Sequence, residues 1–125
     1  MSLTNFSIVI LSVFMSTFAQ LILKVGANKI RADGLTEKVD LSSISYVLSY
    51  FNIYILLGLA IYVVSAANWI WVLTRVEISA AYPFISLGFI MTLAAGVGVF
   101  GETLSFGKVF GTALIVVGCV FVARA

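Results

Sequence analysis

The sequence predicts an all-α integral membrane protein that forms a bundle of four transmembrane helices. Of its 125 residues, 62% are hydrophobic and only 10% are charged, and the mean hydropathy is +1.20. Soluble domains are about 45–50% apolar and about 25% charged, so this composition does not fit a water-soluble fold. The charged residues are also spaced unevenly and leave four uncharged stretches.

The uncharged stretches have the length that a membrane-spanning helix requires. A bilayer core is about 30 Å thick and takes about 20 apolar residues of helix to cross. Three of the stretches exceed that length, and the fourth reaches it if its helix begins near Ser105 and Lys108 snorkels to the interface. We predict a single domain, 1–125, with helices over about 5–25, 52–73, 79–100 and 105–123.

The links between the predicted helices differ in length. The first is a long charged loop, 26–45. From the end of this loop, Leu41, Ile44, Leu48 and Phe51 recur at near-helical spacing, which indicates a short amphipathic segment at the interface. The other two links are tight turns, so helices 2, 3 and 4 should be antiparallel neighbours. More basic residues flank the first and third links than the termini, which favours a cytoplasmic position for those two links.

The composition excludes most enzymatic and metal-binding classes. The chain has no histidine and a single cysteine, Cys119, so Ser-His-Asp and Cys-His catalysis are excluded and a zinc or iron site is not expected. We expect no cofactor, because no cofactor motif is present. Nucleic acid is not an expected partner, because basic residues do not cluster with interleaved aromatics.

Helix 1 carries a polar stripe. Ser12, Ser16, Gln20 and Lys24 follow each other at steps of four residues, and each step turns about 40° around a helix of 3.6 residues per turn. The stripe could form a groove for a polar substrate group, with Lys24 at its mouth. Alternatively, the serines pack against another helix and Lys24 snorkels. Ser16, Gln20 and Lys24 are therefore candidate substrate-binding residues.

Helices 2 and 3 and the third link supply further candidates. Asn68 lies mid-span and needs a partner, which is either a neighbouring helix or a substrate. Tyr82 and Ser86 are spaced to share one side of helix 3 and are also candidates for substrate binding. Glu102 lies at the same membrane face as Lys24, so the two could form an ion pair that a substrate breaks.

Helix 3 contains a candidate hinge, and helix 4 a candidate dimer contact. Pro83 removes a backbone hydrogen bond and should kink the helix, with Gly88 a turn later; the kink is either a hinge or static. Small residues on one stripe allow two membrane helices to approach closely. The glycines of helix 4 form such a stripe and are the candidate contact between subunits: Gly107, Gly111 and Gly118.

Three stretches in order resemble the drug/metabolite transporter superfamily. They are residues 19–27, 81–88 and 100–105, the last followed by the glycine-containing helix 4. One four-helix group in that superfamily, the small multidrug resistance family, consists of proton-coupled exporters of cations with a defining glutamate in helix 1. Aligned on Lys24, that position is Ser16 here, which counts against drug–proton exchange because serine does not titrate at ordinary pH.

The chain is more similar to a second group, the small subunits of the flippase for aminoarabinose linked to undecaprenyl phosphate. Those subunits lack the glutamate, and the charged first loop and the Pro83 segment resemble theirs. The resemblance implies a substrate with a polyprenyl tail, a phosphate and a sugar, moved by a dimer in the bacterial inner membrane. With such a substrate, we hypothesise that Lys24 meets the phosphate in a charge-assisted contact.

Three functions are open at this point. The first is a transporter subunit that flips such a lipid-linked sugar, the second is an exporter of organic cations or small metabolites, and the third is a non-transporting accessory subunit in envelope glycan synthesis. Four helices enclose little more than their own side chains, so a transport path requires a second subunit. That partner is either an identical copy or a related four-helix chain. Membrane lipid surrounds the assembly in every case.

Overall fold

Six α-helices and one 3₁₀ turn make up the part of the chain that the computed structural model describes, residues 2–34 and 44–125. The helices are α1 (Leu3–Ala32), α2 (Ile44–Ser49), α3 (Ile53–Leu73), α4 (Ile78–Ala81), α5 (Ser86–Gly98) and α6 (Phe106–Arg124). The 3₁₀ turn, Tyr82–Ile85, joins α4 to α5 into one span. In these described ranges, α1, α3, the α4–α5 unit and α6 are long and apolar enough to cross a membrane. The predicted four-helix membrane fold is confirmed.

Helices α1 and α6 begin at side-chain caps. Ser2 accepts a hydrogen bond from the backbone N–H of Asn5 at the start of α1, and Ser105 accepts one from Lys108 N–H, 3.2 Å, at the start of α6. Such caps satisfy backbone donors that the first helical turn leaves without a partner. The cap of Ser105 places the start of the fourth span where its apolar length is sufficient.

The first helix is longer than the sequence pattern indicated. It continues to Ala32 rather than ending near Val25, so residues 26–32 of the predicted loop are helical. This segment contains alanine, lysine and arginine, which favour helix, and Ile30 is buried. The helix ends just before Gly34, which has φ +74°. Of the predicted interfacial segment, Leu41 lies outside the described residues, and Ile44, Leu48 and Phe51 are exposed around α2.

Helices α1 and α3 pack antiparallel along their length and form the centre of the fold. Val9 and Val72 are fully buried against each other's helix near one end of the pair. Near the other end, a Cβ at Gly26 would lie 2.7 Å from the Ile55 side chain, and a Cβ at Gly58 would lie 2.8 Å from Leu23. The two glycines therefore allow an approach that no larger residue permits.

Polar side chains also join α1 to α3. The Asn68 amide donates a hydrogen bond to Ser12 Oγ, and Ser65 Oγ donates to the Ser12 carbonyl at 3.2 Å. Asn52 Oδ1 caps α3 by accepting from Ile55 N–H, while its Nδ2 donates to the Gly26 carbonyl at 3.0 Å. Because lipid offers no alternative partner, each of these groups is satisfied inside the helix pair. Asn68 thus has the interhelical partner that its mid-span position required.

Replacing Asn68 with leucine should weaken the α1–α3 pair by about 1–2 kcal/mol, because an interhelical hydrogen bond is lost in the membrane. Unfolding of the purified protein in mixed detergent–SDS micelles measures the change. Asn28→Leu is the matched control, because Asn28 is exposed in the last turns of α1. Equal destabilisation by both changes would contradict a specific role for Asn68.

Helix α6 lies at the periphery. It contacts α4, the 3₁₀ turn and α5 on one side, and none of its residues is buried. A Cβ at Gly111 or Gly118 would meet no heavy atom within 4 Å, and one at Gly107 would meet only Ser105 Oγ at 4.0 Å. The glycine stripe therefore has no role in packing within the described part of a single subunit.

Candidate functional site

The polar stripe of α1 faces two adjoining cavities. The first, which we call the aromatic cavity, has a volume of about 230 Å³. It lies between α1, α3 and the 3₁₀ turn. Its described lining residues are Ser12, Val13, Ser16, Tyr62, Ser65, Ala66, Trp69, Tyr82 and Ile85.

The second, which we call the glutamine cavity, has a volume of about 240 Å³ and lies between α1 and α5. Its described lining residues are Ser16, Thr17, Gln20, Ile85, Gly88, Phe89 and Thr92. Because Ser16 and Ile85 line both cavities, the two adjoin along α1. We refer to them together as the α1 groove.

Three hydroxyl groups of the groove have their protons engaged by backbone carbonyls. Ser16 Oγ donates to the Val13 carbonyl at 3.1 Å, Ser65 Oγ to the Ser12 carbonyl at 3.2 Å, and Thr92 Oγ1 to the Phe89 carbonyl at 3.1 Å. A serine or threonine hydroxyl has one proton and two lone pairs, so these oxygens are left as acceptors. Gln20 is exposed and offers both donors and acceptors.

Aromatic rings form one wall of the aromatic cavity. The Trp69 and Tyr82 rings meet edge to face, with centroids 6.2 Å apart and planes at 70°. Tyr62 lies on the same side of α3, because Tyr62, Ser65, Ala66 and Trp69 are spaced at i, i+3, i+4 and i+7. The cavity therefore combines ring surfaces with hydroxyl acceptors in an otherwise apolar span.

The structure brings together three of the predicted substrate-binding residues. Ser16, Gln20 and Tyr82 line the groove, and Lys24 is exposed on α1 one turn beyond Gln20. Asn68 lies behind the lining, bound to Ser12, and Ser86 is buried at the start of α5 without lining either cavity.

Glu102 packs against the end of α5. Its backbone N–H donates to the Gly96 carbonyl at 2.8 Å, and its carboxylate packs on Gly96, where a Cβ would come within 2.5 Å of Oε2. Both Glu102 and Lys24 belong to the described part of the chain, and they form no ion pair there. The pairing suggested by their shared membrane face is therefore absent from this conformation.

The proline segment interrupts the third span beside the groove. Pro83 is buried within the 3₁₀ turn, which separates α4 from α5. Gly88 is also buried, and a Cβ there would lie 3.0 Å from Thr17 Oγ1. Gly88 therefore allows α5 to pack closely against α1 at the glutamine cavity.

Comparison with known proteins gives relatives of one kind that cover most of the chain. A protein from Enterobacter sp. named as a probable 4-amino-4-deoxy-L-arabinose-phosphoundecaprenol flippase subunit ArnF is 31% identical over 115 residues, which cover 90% of this chain and 89% of that protein. An ArnF from Proteus mirabilis is 32% identical over 118 residues, which cover 92% and 88% of the two chains. This chain belongs to the ArnF family of flippase subunits.

A partial match extends to the companion subunit. A Pseudomonas aeruginosa protein named as subunit ArnE of the same flippase is 37% identical over 57 residues, covering 46% of this chain and 50% of that protein. The relatives thus include two kinds of small subunit, ArnE and ArnF. No family model matches the chain, and no solved structure matches it.

Membership of the ArnF family confirms the broad functional predictions. The relatives are named as flippase subunits and not as enzymes, so the chain is a membrane transport subunit. Together with the four apolar spans, this places it as a multi-pass protein of the bacterial inner membrane. The resemblance to the aminoarabinose flippase subunits was therefore correct.

Sequence reasoning did not select every residue of this ArnF-family groove. Tyr62, Trp69 and Thr92 line it but were not among the candidates. A usable signal existed, because Ile85, Gly88, Phe89 and Thr92 are spaced at i, i+3, i+4 and i+7 and so share one face. The pattern could not show which face of α3 or α5 meets α1.

Proposed function

We propose that this chain is one subunit of a flippase that moves a polyprenyl-phosphate-linked sugar across the bacterial inner membrane. The substrate class follows the names of its ArnF relatives, which specify 4-amino-4-deoxy-L-arabinose-phosphoundecaprenol. The observation that carries the proposal is the α1 groove, a continuous row of polar side chains within an apolar span.

The groove supports the proposal because polar groups are costly in hydrocarbon. Gln20 and Thr92 are exposed at the glutamine cavity of a single subunit, where lipid would leave the Gln20 amide and the Thr92 lone pairs without partners. A sugar head group offers matching donors and acceptors, while its polyprenyl tail can stay in the lipid. The groove then shields the head group during its passage.

The predicted residues take different roles in this proposal. Ser16, Gln20 and Tyr82 contact the sugar, and Thr92 joins them from α5. Lys24 meets the phosphate at the mouth of the groove through a charge-assisted hydrogen bond. For the residues outside the lining we propose supporting roles: Asn68, Ser86 and Glu102.

We assign the partner to a second four-helix subunit that packs on α6. The names ArnE and ArnF support a heterodimer of related chains over a homodimer. Helix α6 supports this position because its glycine stripe is unpacked within a subunit. The 3₁₀ turn at Pro83, with Gly88 beyond it, is the proposed hinge that lets the third span move against α1 in the assembled pair.

Replacing Gly111 with leucine should weaken subunit association at least tenfold, because the new side chain would separate α6 from its partner helix. Association of the two co-expressed subunits in detergent, followed by size and mass, measures it. The matched control is Ala113→Leu, since Ala113 is exposed and lies about 200° further around α6. Association that survives Gly111→Leu, or fails equally in both variants, would contradict this interface.

The translocation itself is testable through the amine of the head group. In spheroplasts that make the lipid-linked aminoarabinose, a membrane-impermeant amine reagent should label the lipid only after it has crossed. We expect labelling, read by the mass of the extracted lipid, to depend on this chain and its partner. Labelling that is unchanged when the chain is deleted would overturn the proposal.

The aromatic cavity is the observation that favours the second candidate, an exporter of organic cations, since aromatic rings attract such ions. Against it, the described spans hold no acidic residue that could exchange a proton for a cation. Proteoliposomes that export a labelled organic cation along a proton gradient, but do not move the lipid, would favour this candidate.

A further inference from the structure

We infer that the aromatic cavity recognises the ammonium group of the head group and so fixes its orientation in the α1 groove. The amino end lies in the aromatic cavity beside the Trp69 and Tyr82 rings, and the phosphate lies toward Lys24. This inference rests on the proposed function and deepens it, because it names the feature of the substrate that the site selects. It also assigns a role to Trp69, which was not among the candidates selected from the sequence.

The arrangement of the rings suits a small cation. The Trp69 and Tyr82 ring planes are at 70° to each other with centroids 6.2 Å apart. The rings therefore form a corner of the cavity and are not stacked face to face. Tyr62 adds a third ring to the lining. Aromatic faces carry negative charge density and attract ammonium groups, and several rings around one position form the usual site for such ions.

The hydroxyl groups point to the same kind of ligand. Ser16 and Ser65 have their protons engaged by backbone carbonyls of α1, so the lone pairs of both oxygens remain for the cavity. An ammonium group has only donors, and these oxygens therefore complement it. A phosphate has strong acceptors and would meet these oxygens lone pair to lone pair.

The two ends of the groove differ in charge. The described residues that line the aromatic cavity carry no charge, whereas Lys24 is exposed on α1 one turn beyond Gln20. Ser16 and Lys24 are eight residues apart, which corresponds to about 12 Å along the helix. The lysine side chain spans part of that distance, so one head group can reach the aromatic cavity with its amine while its phosphate faces Lys24.

The test uses the purified two-subunit complex and an equimolar mixture of polyprenyl-phosphate aminoarabinose and its N-acetyl derivative. Acetylation removes the positive charge and leaves the sugar, phosphate and tail unchanged. Native mass spectrometry reads both bound forms in one spectrum, because their masses differ. We expect the free amine to exceed the acetylated form about tenfold in the wild-type complex.

Variants at the rings then test their role. Trp69→Leu and Tyr82→Leu should each reduce the preference to about two- or threefold, because one of the rings is lost. Trp69→Phe keeps a ring and should retain most of the preference. Since Trp69 also packs against the Val9–Val72 core, overall binding can fall in Trp69→Leu, but the ratio of the two forms reports selectivity independently of folding.

Two results would overturn the inference and leave the proposed function standing: equal binding of both lipids by the wild type, or an unchanged ratio in both leucine variants. A complex that binds neither lipid, together with lipid labelling in spheroplasts that does not change when the chain is deleted, would instead overturn the proposed function itself. The two failures are therefore distinguishable.

Discussion

Lys24→Ala should reduce translocation of the lipid-linked sugar about ten- to hundredfold while leaving the subunit inserted and assembled. The expected size follows from a hydrogen bond to a charged group, which contributes about 1.5–3 kcal/mol, and each 1.4 kcal/mol is a factor of ten. Lys24 is exposed in this subunit, so removing its side chain opens no cavity in the fold. The effect should therefore fall on the substrate rather than on stability.

The position of Lys24 supports this expectation. It lies on α1 one turn beyond Gln20, the last groove-lining residue on that helix, and the Cα–Cβ bonds of a helix tilt toward its N-terminus. The lysine stem therefore starts in the direction of the groove. Labelling of the lipid by the impermeant amine reagent measures the loss, and the mass of the purified complex checks assembly.

Two further variants give the control for Lys24. Lys29 is on the same helix and exposed, but it lies about 140° around the axis, so Lys29→Ala should leave translocation unchanged. Lys24→Arg keeps the charge and should keep most of the activity. Translocation that persists in Lys24→Ala, or is lost equally in Lys29→Ala, would rule out the phosphate contact.

The four spans could be predicted because lipid imposes a simple rule on the chain. Every backbone group within the bilayer must be satisfied internally, so long uncharged stretches have to be helices. Charge spacing alone therefore indicated the spans that the structure contains. The end of α1 was different, because residues 26–32 lie past the apolar stretch, and there the helix persists through local propensity, the burial of Ile30 and the contact of Gly26 with Asn52.

The groove lining was predictable on α1 and only in part on the other spans, where Tyr82 was selected. Helical periodicity places Ser12, Ser16 and Gln20 on one stripe, and the structure puts that stripe in the groove. The rotation of α3 and α5 about their own axes depends on packing, so Trp69 and Thr92 were not selected. Asn68 shows the same limit: its need for a partner followed from its depth in the membrane, but the choice of Ser12 depends on how α3 is seated against α1.

The glycines also divide in a way that sequence motifs do not show. The GxxxG of α6 drew attention by its spacing, yet its glycines are unpacked within the subunit. Gly26 and Gly58 belong to no such motif and lie at the closest approach of α1 and α3. Close packing depends on what the opposite helix presents at that level, which spacing on one helix does not reveal.

Gly26→Val should therefore be the most damaging single change to the fold, with a loss of about 3 kcal/mol or more, at or above the upper end of the usual range for overpacking. A Cβ at Gly26 would lie 2.7 Å from Ile55 Cδ1 and 3.0 Å from the Ile55 backbone nitrogen. The isoleucine side chain can rotate away, but the backbone nitrogen cannot. The clash would also disturb the hydrogen bond from Asn52 to the Gly26 carbonyl, and with it the cap of α3.

Gly98→Val is the matched control for this prediction, because a Cβ at Gly98 would meet nothing within 4 Å. The yield of monodisperse protein in mild detergent and its unfolding in SDS micelles should fall sharply for Gly26→Val and little for Gly98→Val. A second, smaller variant, Gly26→Ala, tests which contact causes the loss. Adding Ile55→Ala to it should recover only part of the stability that Gly26→Ala loses, because the side-chain contact is removed and the contact with the Ile55 backbone nitrogen remains. Full recovery would mean that the two helices can move apart at this level. The close approach of α1 and α3 would then not be what positions the polar stripe of α1 in the groove.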